Sequence, residues 1–414
     1  MDGPTSITLL VFVITYLGLA RGSLPGLGID RAGIALVGAI ALLATSVVTF
    51  PQAIHFINFE TIGLLLGMMV IVAVLQRARF FAHLASWAGR IVQTPHQLLA
   101  LVIVLLSVFS AILVNDVICL ALPPLIIQLA RQRGWDALPH LIALAIASNI
   151  GSACTPIGNP QNMLIAEWSQ ISFLRFVWRL GVPTIISLLV SYVLTAWIFR
   201  ARLATVQPVT KTLHDVIYVK PSYRHDRLLL KAVLVLLVTV IAFFLTTHLA
   251  IVALTMAGIL LLDRFSPRFV WKEVDWSLLV MFAGLFVVVG AFDQRIVQPG
   301  DWANWPSLQH DPVGLLSLVS AVLSNVVSNV PAVLLFKPIM PGIAPEMQET
   351  GWLALAMSST FAGNFTILGS VANLIVVEQA RRAGIVIGFW DYCKVGMPAT
   401  IISIAVGVVW LKWF

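Results

Sequence analysis

Apolar residues run along this chain in blocks close to membrane-crossing length, and polar residues collect mostly in the short stretches between them. A helix rises 1.5 Å per residue, so about 20 apolar residues are needed to cross a hydrocarbon core of ~30 Å. The first half offers such blocks near residues 6–20, 32–50 and 61–76, then a longer one from Leu98 to Ala130. Asn115-Asp116 interrupts that long block and Pro123-Pro124 closes it, leaving two limbs of about 15 residues each. Both limbs are short for a full crossing, and irregular backbone at membrane depth is tolerated only against protein or a water-filled cavity. The pattern therefore predicts a re-entrant hairpin near 98–130 that turns at the polar pair. A span from Leu138 to Glu167 with a break inside it, and another from Ser172 to Arg200, complete the half. The second half runs the same way. Spans fall near 229–247, 250–262 and 277–292, a hairpin at 313–340 turns at Ser328-Asn329, a broken span covers 351–380, and a last span covers 395–412.

Polar motifs inside these blocks recur in the same order. Thr155-Pro-Ile-Gly158-Asn-Pro-Gln-Asn162 and Thr366-Ile-Leu-Gly369-Ser-Val-Ala-Asn373 both read T-x-x-G-x-x-x-N, with the glycines 211 residues apart. Asn115 and Asn329 are offset by 214 residues. Asn58-Phe-Glu-Thr-Ile matches Asp275-Trp-Ser-Leu-Leu, and the glycines that follow, Gly67 and Gly284, are offset by 217. Common order at near-constant spacing means an internal duplication. Five spans per half is an odd number, so the halves lie inverted in the membrane. The predicted fold is an all-α polytopic membrane protein of two inverted five-helix repeats, each with a re-entrant hairpin and a broken helix. Residues 1–200 form the N-terminal repeat, 201–228 a linker and 229–414 the C-terminal repeat. Polar, interrupted helices at corresponding positions of two membrane halves point to a transport site.

Composition agrees. The chain is 59% hydrophobic and 10% charged, against roughly 25% charged in soluble domains, so its surface is made to face a lipid bilayer. The net charge of +7 comes from loops on one side. The linker holds Arg200, Arg202, Lys211, Lys220, Arg224, Arg227 and Lys231 against Asp215 and Asp226, and Arg77, Arg79, Arg90, Arg131, Arg133, Arg381 and Arg382 fall on the same side. The opposite loops hold Glu60, Glu167, Asp293, Asp301, Asp311, Glu346 and Glu349. The positive-inside rule then puts the linker in the cytoplasm and both termini outside the inner (plasma) membrane, with the two hairpins entering from opposite sides. Arg175 and Arg179 fall on the outer side, against the rule. No basic face for nucleic acid is visible. Cys119, Cys154 and Cys393 lie in or beside apolar segments and do not make a disulfide framework. Ile7 to Ala20 lacks a basic region before it and reads as a retained span rather than a signal peptide. No histidine pair has ligand spacing and no Walker motif is present, so neither a metal centre, another cofactor nor ATP hydrolysis is expected, and no catalytic residue is predicted.

The candidate chemistry sits in the repeated motifs. Gly158 and Gly369 can take backbone angles closed to other residues, and Pro156 and Pro160 remove hydrogen-bond donors. The half-helix after each break presents free N–H groups and a positive dipole end. Thr155, Asn159 and Asn162, with Asn364, Thr366 and Asn373, add neutral donors and acceptors. Small polar residues can also simply hold helices together; recurrence in both halves favours a substrate site. Asn115, Ser328 and Asn329 at the hairpin tips, beside Ser324 and Asn325, supply the opposite wall. Asp116 is the one acidic residue deep inside an apolar block, and its counterpart is Val330. A carboxylate there is costly unless hydrated, paired or protonated, which makes it a candidate proton carrier. Its plainer role is a helix cap. Cysteines at such places most often act as small hydrophobes, Lys337 is placed to snorkel, and Glu378 to meet solvent at the end of its span.

Val114-Asn-Asp, Ser324-Asn-Val-Val-Ser-Asn-Val-Pro, Thr155-Pro-Ile-Gly-Asn-Pro-Gln-Asn and Gly363-Asn-Phe-Thr-Ile-Leu-Gly-Ser-Val-Ala-Asn resemble the ion transporter superfamily. That group includes arsenite permeases, divalent-anion/sodium symporters and citrate transporters, and the similarity covers nearly the whole chain. It implies inverted repeats with hairpins and broken helices, a homodimer with an elevator-like transport domain and, for arsenite permeases, an ATPase subunit in a resistance system. The dicarboxylate symporters carry Ser-Asn-Thr at both tips; Val114-Asn115-Asp116 and Ser328-Asn329-Val330 do not match. Asp116 would repel a dianion, and no lysine or arginine offsets it. The Asn-Asp tip is similar to that of arsenite permeases, which implies proton-coupled export of trivalent arsenic or antimony hydroxides. A sodium-coupled carboxylate or inorganic-anion symporter and an uncoupled channel-like subunit remain alternatives.

Overall fold

Each apolar block folds as helix, and the polar residue at its edge supplies the cap. Asn58 accepts from the Thr61 N–H at 2.7 Å and Asp275 from the Leu278 N–H at 3.0 Å, so the third repeated motif is a pair of matching N-caps. The computed structural model describes residues 2–22, 28–205, 223–263, 267–296, 308 and 310–414, which contain no strand. Seven helices among them are long and apolar enough to cross a membrane: Gly3–Arg21, Phe59–Arg77, Pro95–Leu113, Phe173–Ile198, Arg227–Leu245, Trp276–Arg295 and Phe389–Trp413. Arg31–Ala44, Leu138–Ser152, Leu249–Leu261 and Pro312–Val327 are shorter apolar helices. Only 22% of the apolar stretch of Arg227–Leu245 is buried, so most of its leucines and valines face outward, where lipid can meet them at no hydrophobic cost. The chain is an integral, multi-span helical membrane protein.

Two segments depart from the sequence reading. The first limb of the long block is a 19-residue helix, Pro95–Leu113, rather than about 15 residues. Its return limb is divided into Asn115–Ala121 and Pro123–Gln132, because a proline at the first helical position has no N–H to continue the ladder. Short helices Phe50–Phe56, Phe80–Ile91 and Pro267–Glu273 occupy stretches that the hydrophobic pattern leaves as connections. Most of the linker, residues 206–222 with Lys211, Asp215 and Lys220, lies outside the described residues, as does Asp301.

The helices pack as two groups. In one, Phe59–Arg77 packs on Leu249–Leu261 while Trp276–Arg295 packs on Arg31–Ala44, so each half of the chain finds its partner in the other half. Glycine sets both crossings. A methyl group on Gly67 would lie 2.7 Å from the Ala253 carbonyl carbon, and one on Gly284 2.6 Å from that of Ala35. In the second group, Pro95–Leu113 packs on Leu138–Ser152 and Pro312–Val327 on Pro345–Ala362. Serine pairs tie both contacts, Ser110 with Ser148 at 2.8 Å and Ser320 with Ser358 at 2.6 Å. The long helices Phe173–Ile198 and Phe389–Trp413 close this group against each other.

The exceptional charges are accounted for locally. Arg175 and Arg179 both face Glu349, at 2.6 and 3.6 Å. Glu378 is held by Arg381 and Arg382 at 2.8 and 2.9 Å rather than simply solvated. Lys337 is exposed at the end of its helix, as expected of a snorkelling lysine, and lies over the ring of Trp168, 5.3 Å from its centroid, a cation–π contact.

The reciprocal crossings give a first prediction. Gly67→Val and Gly284→Val should each lower thermal stability in detergent, by about 1–3 kcal/mol as overpacking does. Gly258→Ala, where nothing lies within 4 Å, should leave it unchanged. Equal melting curves for all three variants would contradict the glycine-set crossings.

Candidate functional site

A helix that stops inside an apolar protein leaves carbonyls that water cannot reach. Here the last asparagine of each motif takes them up. Asn162 Nδ2 donates to the carbonyls of Ser152, Ala153 and Thr155 at 3.2, 3.2 and 2.9 Å. Asn373 Nδ2 donates to those of Gly363 and Thr366 at 2.7 and 3.2 Å. These two residues clasp the interruptions between Leu138–Ser152 and Pro160–Ser169, and between Pro345–Ala362 and Val371–Arg382. The motif spacing follows directly: threonine supplies a carbonyl, glycine clears the space, and asparagine reaches back. The glycines do not serve through unusual backbone angles, as expected from sequence, since neither has positive φ. A methyl group on Gly158 would collide with the Ser152 carbonyl oxygen, and one on Gly369 would lie 2.9 Å from that of Gly363. Close approach is the reason for both.

Asn149, which the sequence reading passed over, is the hub of the polar centre. Its Oδ1 accepts from Asn115 Nδ2 and Ser370 Oγ, each at 3.1 Å, and its Nδ2 donates to Oδ1 of Asn364 at 2.8 Å and of Asn373 at 3.0 Å. Thr360 mirrors it, accepting from Asn159 Nδ2 at 3.3 Å and Gln161 Nε2 at 3.1 Å. Each hub stands six residues before the threonine of its own motif and is bonded by the break of the other half. The available signal was a serine followed by a second polar residue, Ser148-Asn149 and Ser359-Thr360, at the same register in two apolar helices.

The turns of the two helix pairs close on this centre. The chain reverses at Val114 (φ 66°) and Ser328 (φ 76°), left-handed angles that cost a β-branched valine in particular. The Asn115 N–H donates to the Gly158 carbonyl at 3.0 Å. Asn325 Nδ2 donates to the Ala362 carbonyl at 2.9 Å, and Asn329 Nδ2 stands 3.3 Å from where a methyl group on Gly363 would be. Thus Asn115, Asn159, Asn162, Asn329, Asn364, Asn373, Gly158 and Gly369 come together. Thr155 is nearby but committed, its hydroxyl donating to the Ala111 carbonyl at 2.5 Å. Thr366 and Ser328 are half-buried at the margins.

Several acceptors are left over. Oδ1 of Asn115, Asn162, Asn325 and Asn329 and the Ser324 hydroxyl are buried without a hydrogen-bond partner. The N-terminus of Pro160–Ser169 is capped, Asn159 accepting from the Asn162 N–H at 2.9 Å. That of Val371–Arg382 has no side-chain cap, because Ser370 turns to Asn149 instead. Asp116 is half-buried beside Asn115 and makes no hydrogen bond or ion pair among the described residues. Its helix has no side-chain cap, so the plainer expectation of a capping role is not met.

A multi-span helical bundle with an uncharged polar centre built at two helix interruptions is a secondary transporter. The chain belongs to the citrate transporter family, whose sequence profile matches residues 9–362. It is 30% identical to a silicon efflux transporter of Oryza sativa subsp. japonica, over 93% of each chain. It is 26% identical to the putative transporter arsB of Dictyostelium discoideum, over 96% of this chain and 90% of that one. In fold it is similar to the YdaH transporter of Alcanivorax borkumensis, with a TM-score of 0.63 at 15% identity, covering 100% of this chain and 98% of that one. The resemblance to the ion transporter superfamily is thereby established.

Clasp and ligand roles separate by mutation. Asn162→Ala or Asn373→Ala should reduce the yield of folded protein, because carbonyls are left unsatisfied. Asn115→Ala and Asn329→Ala should fold but weaken substrate affinity roughly 5- to 150-fold, the cost of one lost hydrogen bond in a desolvated site. Unchanged affinity in both tip variants would place the site elsewhere.

Proposed function

We propose that the chain exports a small uncharged hydroxide of a metalloid, arsenite or antimonite foremost, in exchange for protons. The supporting observation is the set of buried acceptor oxygens without partners on Asn115, Asn162, Asn325, Asn329 and Ser324. An uncharged hydroxide brings O–H donors to such a set. A carboxylate or oxyanion brings charge and further acceptors, and among the described residues no lysine or arginine bonds into this centre to balance them. The name of the rice relative, a silicon efflux transporter, fits the same class, since silicon in neutral water is an uncharged hydroxide. In this reading the two helix pairs are re-entrant hairpins entering from opposite membrane faces, and the halves are inverted repeats with the linker cytoplasmic. The second group of helices carries substrate against the first. A cavity of about 590 Å³ lined by Asn58, Trp168, Asp293 and Lys337, residues from both groups, supports an access path between them. Sodium-coupled anion symport is the second reading, favoured by the family's description as citrate transporters.

Transport into everted vesicles or proteoliposomes decides between them. The expected result is saturable uptake of arsenite or silicic acid driven by a pH gradient, insensitive to sodium and not competed by citrate. Citrate transport that requires sodium would establish the second reading, and non-saturating flux a channel.

Asp116 is assigned the coupling proton, because it is an acid at one tip whose counterpart, Val330, is apolar, so the fold does not require it. Asp116→Asn keeps the shape and removes the charge. It should insert and fold, lose transport driven by a pH gradient, and retain slow substrate exchange. Wild-type pH-driven transport in that variant would remove Asp116 from the mechanism.

A further inference from the structure

Basic side chains gather where two helices from opposite halves of the chain end side by side. Pro123–Gln132 is the last part of the first return limb, Val371–Arg382 follows the second break, and the two pack on each other. A cavity of about 280 Å³ lies between them, close to the roughly 300 Å³ at which small-ligand sites begin. Arg131, Arg382 and the amides of Gln128, Gln132 and Gln379 line it over an apolar floor at Ile127, and among the described residues no aspartate or glutamate does. Arg131 donates to the Ala383 carbonyl at the end of the neighbouring helix. Arg382 Nε donates to Glu378 at 2.9 Å, and Arg381 Nε to the same carboxylate at 2.8 Å. Three positive charges thus share one negative. Each guanidinium carries five N–H donors in a planar fork, more than a single oxygen takes up. Basic residues in a last turn offset the helix dipole, which accounts for their sign but not for a cavity enclosed between two such ends.

Beyond Ala383, on the cavity wall, the chain turns apolar and exposed within seven residues. Val386 is 78% exposed and Trp390 68%, and the Phe389 ring meets that of Trp390 edge to face. Exposed aromatic residues beside arginines on a membrane-spanning chain mark the level of the lipid headgroups. A basic pocket between helices at that level suits an anionic headgroup. We propose that Arg131 and Arg382, with the glutamine amides beside them, bind the phosphate of an anionic phospholipid whose acyl chains lie against the exposed surface around Val386 and Trp390. The phosphate offsets the excess positive charge and joins a limb of the first half to a half-helix of the second.

The test uses full-length protein, delipidated in detergent. Thermal unfolding is followed while phosphatidylglycerol, phosphatidylcholine or sodium phosphate is added at constant ionic strength, and retained lipid is counted by native mass spectrometry. Wild-type protein should show a saturable rise in melting temperature with phosphatidylglycerol, well above that with phosphatidylcholine, and should retain the lipid. Arg131→Gln and Arg382→Gln should each weaken the response to phosphatidylglycerol roughly tenfold or more, as loss of a charge-assisted pair does. Arg131→Lys, which keeps the charge but not the fork, should recover only part of it. Arg295→Gln removes an arginine that also donates to a backbone carbonyl, that of Val47 at 2.8 Å, but lies outside the cavity, and should respond as wild type. The reading is the lipid-dependent shift, so a lower melting temperature of a variant without lipid does not affect it. The site is overturned if the two lipids act equally, if sodium phosphate stabilises the protein and phosphatidylglycerol does not, or if Arg131→Gln and Arg382→Gln both retain phosphatidylglycerol as wild type does.

Discussion

An unpaired carbonyl in surroundings that water cannot enter costs several kcal/mol, and the architecture of this transporter depends on meeting that cost at two places. Asn162 and Asn373 do so by turning their amides back onto the carbonyls that each interrupted helix abandons. With the carbonyls satisfied, the helix can stop at mid-length without unfolding. With the helix stopped, side chains from one half reach the other, Asn159 to Thr360 and Ser370 to Asn149. The same Oδ1 of Asn149 that accepts from Ser370 also accepts from Asn115, and so holds the turn at Val114.

The remainder of the fold is arranged around keeping that centre dry and close. Reciprocal glycine crossings at Gly67 and Gly284 lock the outer helices of the two halves together. The limbs that lead into the two breaks are closely enclosed, every residue of Leu138–Ser152 and every residue from Gly351 to Ala362 being buried. Serine pairs rather than apolar contacts alone fix the helices that flank the turns. Such small polar residues let backbones approach closely without adding charge to the interior.

Much of this could be read from the chain, because apolar run length and repeated polar interruptions are properties of sequence alone. The spans, both breaks and the turns at Asn115 and Ser328-Asn329 follow from them. What the pattern does not carry is whether a polar side chain spends its bonds internally. Asn162 and Thr155 look like free donors in sequence, and spend those donors on backbone carbonyls, Asn162 keeping only its Oδ1 unbonded. Asn149 looks like nothing, one amide in an apolar helix with no motif around it, and takes part in four hydrogen bonds. Gly158 and Gly369 were readable as necessary but not for the right reason, since crowding against a carbonyl depends on how the chain folds back. The seven residues of Phe50–Phe56 are too few to leave a hydrophobic period distinct from that of a loop, and Phe80–Ile91, buried on one face only at Phe81, Ala85 and Ala88, does not give the continuous apolar run that marks a span.

The absence of formal charge from the amide-and-hydroxyl centre has an electrical consequence. A unit charge carried across a membrane does work of about 2.3 kcal/mol for every 100 mV. Amides and hydroxyls carry no net charge, so in the proposed export of an uncharged cargo voltage neither helps nor opposes their passage. Under the proposed exchange with protons, any current that accompanies turnover is carried through Asp116 and the ion that neutralises it, and that side chain becomes a point at which the membrane potential grips the centre.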